Sequence, residues 1–143
     1  MKPTLPLPIS NLPEEGLRFF HSLSNWVETS KIVKPDIISW KRGKSLLKTL
    51  TFIKPKQGEQ LIQPKTLPDN TLYVPSHSSG LYVIRQLRNA FCHNDIIYDA
   101  ATNQYRINLT DKVKITGQFS LEAIEEFVSV FLSSHKSIAT TDK

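Results

Sequence analysis

Residues 85–99 read RQLRNAFCHNDIIYD, and two structural periods meet inside them. From Leu81 to His93 the apolar residues Leu81, Val83, Ile84, Leu87, Ala90 and Phe91 fall on one continuous arc when each residue advances by about 100°. Ser78 or Ser79 is placed to cap this helix. Past His93 the period becomes that of strands. Ile96-Ile97-Tyr98 and Tyr105-Arg106-Ile107-Asn108-Leu109 flank DAATNQ as in a β-hairpin, with Val113-Lys114-Ile115 as a candidate extension.

On the N-terminal side, Asn11 to about Ser30 forms an amphipathic pattern. Asn11 is the candidate cap, Glu14 and Glu15 sit in the first turn, and Leu17, Phe20, Leu23 and Val27 make the stripe. A second, basic helix is expected from Asp36 to about Phe52, weakened by Gly43. Residues 54–78 carry four prolines and a glycine without sustained period, which predicts a long irregular connection. Ser120 caps a last helix whose apolar set is Leu121, Ile124, Phe127, Val128, Phe131 and Leu132. The expected fold is therefore mainly α: a helical bundle with a β-hairpin between the RQLRNAFC helix and the last one. It forms a single domain over 1–143, with an extended arm at 1–10 and a frayed tail at 135–143.

Composition narrows the function classes. A lone Cys92 forms no internal disulfide and reads as a small core residue, so a cytoplasmic protein is expected. The N-terminal MKPTLPLPISNLP has no continuous apolar run, so neither a signal h-region nor a membrane span is expected there. The net charge is +5, yet residues 31–65 hold nine Lys or Arg against Asp36 and Glu59, a local excess of +7. Such a segment attracts a polyanion, nucleic acid first among them, although by itself it reads more readily as a solvated face. No Cys/His or carboxylate set has metal-ligand spacing, and no cofactor is expected.

Within the helix, Arg88 falls inside the apolar arc, where a guanidinium needs an ion-pair partner, a route to solvent or a bound anion. Asn89 follows it, and His93 comes five residues after it. Five arginines and four histidines in 143 positions give about 0.14 chance R-x4-H pairs, and requiring the adjacent Asn lowers this to about 0.007. The combination is therefore more informative than the bare pair.

LRNAFCHND resembles the signature of the HEPN superfamily, small helical domains whose R-x4-6-H motif marks metal-independent ribonucleases. The resemblance is sharpest over residues 80–95. It implies a bundle of four or five helices, a homodimer with both motifs in one cleft, and the role of a toxin or anti-phage defence effector with a cognate antitoxin or other partner protein. Carried over, Arg88 and His93 are the catalytic pair and Asn89 the supporting polar residue. Asp95 stands where some such toxins have a modifiable tyrosine, so silencing by that route is not expected.

The chemistry suits those residue types. RNA supplies its own 2′-OH nucleophile, leaving a proton transfer for His93 and charge stabilisation at the phosphorane for Arg88. A 2′,3′-cyclic phosphate product is expected. Arg85, Lys41, Arg42 and Lys44 are candidate RNA-binding cations, with Trp40 beside them. The rival expectation is a catalytically silent module that binds RNA, nucleotide or protein through the same groups.

Overall fold

The helix containing RQLRNAFC forms as its spacing predicts, within an architecture that the spacing does not predict. The computed structural model describes residues 12–30 and 38–132. Its elements are α1 (Glu14–Ser30), α2 (Trp40–Leu46), β1 (Thr51–Ile53), β2 (Thr71–Tyr73), α3 (Gly80–Cys92), β3 (Ile96–Asp99), β4 (Gln104–Ile107), β5 (Thr116–Phe119) and α4 (Leu121–Leu132). The five strands form one sheet in the order β1-β2-β5-β4-β3, parallel between β1 and β2 and antiparallel elsewhere. This is a mixed α/β fold, and the expectation of a mainly helical bundle is overturned.

Alternation along each short strand gives the sheet two chemically different faces. Phe52, Leu72, Ile107, Tyr105 and Phe119 point to the helices, where Phe52 meets Phe127 of α4 and Tyr105 meets Phe20 of α1. The helical layer brings α1 against α3 and both α2 and α3 against α4. Gly43 and Gly80 let α2 and the start of α3 close on the Phe131 ring, which a Cβ at either position would overlap.

The opposite face carries Thr71, Thr116, Gln118, Gln104 and Arg106, and residues 54–70 cross it to join parallel strands β1 and β2. Polar side chains hold this strap. Gln63 Oε1 accepts from Leu109 N and Thr116 Oγ1 at 2.9 Å each, and Gln118 Nε2 donates to Leu67 O at 2.9 Å and Asp69 Oδ1 at 3.0 Å. Asn70, at φ 52, accepts from Ser120 N and donates its own N–H to Gln104 Oε1.

Several local expectations change accordingly. The stretch 54–78 is not wholly irregular, since β2 lies within it, and the helix expected over 36–52 is only seven residues, capped by Ser39 and followed by β1. The hairpin forms across DAATNQ, with Asp99 Oδ1 accepting from Ala101 N at 3.0 Å, and its extension is β5 just beyond Val113–Ile115. Ser79 caps α3, and Ser120 Oγ accepts from Ala123 N at the start of α4. The arm, the tail and the proposed caps Asn11 and Asp36 lie outside the described residues. Among those described, no helix is long and apolar enough to cross a membrane.

Candidate functional site

Helix α3 is built to stop at HND. The Asn94 N–H donates to Phe91 O at 3.2 Å, the Asp95 N–H donates to Ala90 O at 2.7 Å, and Asn94 takes the left-handed φ of 61. That is a Schellman stop, in which Asn fills the position glycine usually takes. His93 is the half-helical cap, its N–H donating to Asn89 O at 2.9 Å, and its side chain is exposed. Part of the LRNAFCHND resemblance therefore coincides with an ordinary helix terminus.

The solvent-facing arc of α3 carries Arg85, Cys92, Asn89 and His93, with Arg88 at the edge nearest α1. Cys92 is exposed rather than a core residue, because it falls on this arc. Arg88 finds an ion-pair partner within the chain: its Nη1 lies 3.0 Å from Glu28 Oε2, with the arginine side chain 20 % exposed. The Arg88 Nε is buried without a hydrogen-bond partner. Five residues apart, Arg88 and His93 project about 140° apart on a regular helix, and no hydrogen bond joins them among the described residues. Glu28 was not legible as a partner, since nothing in the α1 pattern says which turn packs on Arg88.

A second constellation lies where α2 and Lys54 meet the segment leading into α3. Lys41, Arg42 and Lys44 are exposed. The Lys44 and Lys54 ammonium groups sit 5.3 and 4.8 Å from the centroid of the Trp40 ring, and Lys54 Nζ also donates to Ser76 O at 3.3 Å. Burial, and secondarily the charge of Lys44, push the Lys54 pKa below its ordinary value. Among the described residues none of these cations pairs with a carboxylate. Trp40 packs edge-on against Phe52 and near Phe131, so its ring serves the core and the two ammonium groups rather than offering a free platform for a base.

Two clefts flank the strap. One of about 780 Å³ lies between Gly58–Leu61, His77, Tyr82 and the Leu109–Lys114 turn, and another of about 740 Å³ lies between Gln63–Asp69 and strands β3 to β5. Neither is lined by Arg88, Asn89 or His93. No group of three His, Cys, Asp or Glu among the described residues is placed to hold a metal ion.

The fold and its basic corner thus define a small mixed α/β domain whose cationic surface has no carboxylate partner among the described residues. Comparison with known proteins finds no matching family model, no similar curated protein and no similar solved structure.

Proposed function

We propose that this chain binds RNA through the corner formed by Lys41, Arg42, Lys44 and Lys54. The observation that carries the reading is the pair of ammonium groups sharing one tryptophan ring without a carboxylate among the described residues. Like charges held this close repel, and a polyanion that displaces condensed counterions relieves the repulsion. Because phosphate contacts position a strand without reading its bases, binding is expected to be indifferent to sequence.

Fluorescence anisotropy with a labelled oligoribonucleotide tests this. Replacing Lys41, Arg42 and Lys44 together by Glu lowers affinity by about tenfold or more, with thermal unfolding little changed because all three are exposed. Unchanged affinity in a folded variant would refute the reading.

Metal-independent endoribonuclease activity is a second reading, favoured by the exposed arc of α3 that presents Arg85, Asn89 and His93. It requires a homodimer, in which Arg88 of one protomer leaves Glu28 and meets the same phosphate as His93 of its partner. Cleavage that resists EDTA, is blocked by 2′-deoxy substitution and disappears in His93→Ala supports it. A monomer in solution that leaves RNA intact counts against it. The toxin or defence role and any cognate partner protein follow from this second reading alone.

A further inference from the structure

On the outer face of the sheet the glutamines are engaged: Gln63 Oε1 accepts from Leu109 and Thr116, Gln118 donates to the strap, and Gln104 Oε1 accepts from Asn70 N. Arg106 differs. It sits mid-sheet in register between Ile97 of β3 and Gln118 of β5, and its Nε is buried without a hydrogen-bond partner. Its nearest carboxylate, Asp99 Oδ2, stands 3.7 Å from Nη2, beyond hydrogen-bond reach, while Asp99 Oδ1 is engaged by the turn at Ala101 N. Arg106, ion-paired with Asp99 but without a side-chain hydrogen bond among the described residues, thus lines the cleft of about 740 Å³ under the strap, where a planar fork can take an oxyanion.

The remaining lining narrows what fits. Lys65 on the strap adds a second cation, and Asp69 and Asp99 add two carboxylates. A bare anion would meet repulsion from those acids, so the complementary ligand brings an oxyanion together with hydrogen-bond donors. Asn108 and Thr102 add further polar contacts, but no aromatic ring lines the cleft, which removes the usual platform for a base. Its volume falls within the range of small-molecule sites.

We propose that the cleft between the strap and strands β3–β5 binds a sugar phosphate, with Arg106 and Lys65 on the phosphate and Asp69 and Asp99 on the hydroxyls. This does not rest on RNA binding at the α2 corner.

Heteronuclear NMR of the whole chain tests it by titration with ribose 5-phosphate, ribose and inorganic phosphate. Ribose 5-phosphate is expected to shift the Arg106 Nε–H and the backbone amides of residues 63–69 and 104–108 saturably. Inorganic phosphate is expected to bind about tenfold more weakly, and ribose alone to leave these signals in place. Arg106→Lys keeps the charge but loses the fork, and is expected to bind ribose 5-phosphate about tenfold more weakly. Asp99→Asn preserves the turn acceptor and should bring ribose 5-phosphate towards the affinity of phosphate alone. The proposal is overturned if wild type shows no saturable shift at Arg106 with ribose 5-phosphate, or if inorganic phosphate binds equally well. Movement of these signals by oligoribonucleotide but not by ribose 5-phosphate would also overturn it.

Discussion

Arg88 shows how a residue singled out as chemistry can also serve packing. The Arg88–Glu28 pair ties α3 to α1 at a half-exposed site, where solvent screens part of the attraction. A double-mutant cycle of Arg88→Ala and Glu28→Ala, followed by urea unfolding, is expected to give a coupling of about 1 kcal/mol. The variants separate roles: Arg88→Ala lowers stability whatever the function, whereas His93→Ala, at an exposed cap, costs little. Tyr105 gives a pH signature of its own. Burial, and then nearby negative charge, push its hydroxyl up to about 12, so the folded chain keeps a proton that the unfolded chain loses near pH 10. Its contribution is fully present below pH 10 and is lost as pH rises through about 12. Burial also raises the Tyr82 hydroxyl, so ultraviolet titration should show Tyr105 as the last of the late tyrosines to ionise, together with unfolding, and Tyr105→Phe should remove that last step.

At the scale of elements, the polar strap is the feature with most structural consequence. Gln118 is 5 % exposed and spends both amide hydrogens on strap acceptors. Gln118→Ala is therefore expected to cost about 1–3 kcal/mol and to raise hydrogen exchange across residues 63–69 and their β5 partners. This face also explains what was legible. Helices α1, α3 and α4 and the β3–β4 hairpin follow from their apolar periods, helped at α3 and α4 by the caps Ser79 and Ser120. Strands β1, β2 and β5 do not, because three or four residues display barely one alternation. Moreover Thr71, Thr116 and Gln118 are buried polar side chains that read as loop. With those strands hidden, only helices and one hairpin remained visible, and a helical bundle was the natural but mistaken inference. At the candidate sites, Arg88 and the basic α2 residues were visible in the chain. Glu28 as the partner of Arg88, and the place of Arg106 in the cleft, depend on tertiary packing and were not.

For the whole molecule, the charge distribution sets how it should respond to salt. If Lys41, Arg42 and Lys44 each neutralise one phosphate of a single strand, the logarithm of RNA affinity should fall against the logarithm of salt with a slope near −2. The triple Glu variant should lose most of that slope, which anisotropy across a salt series would measure. The path of the strap carries a further consequence. Gly58, at φ 90, lies among the exposed residues Lys56–Gln60, so a protease has its easiest access at this crest. Cutting there separates α1, α2 and β1 from the remainder in covalent terms only. β1 stays zipped to β2, and α1 stays seated on α3. The nicked chain should therefore elute as one particle yet run as two bands under denaturing conditions, which makes this point a natural place to divide the protein into halves that reassemble.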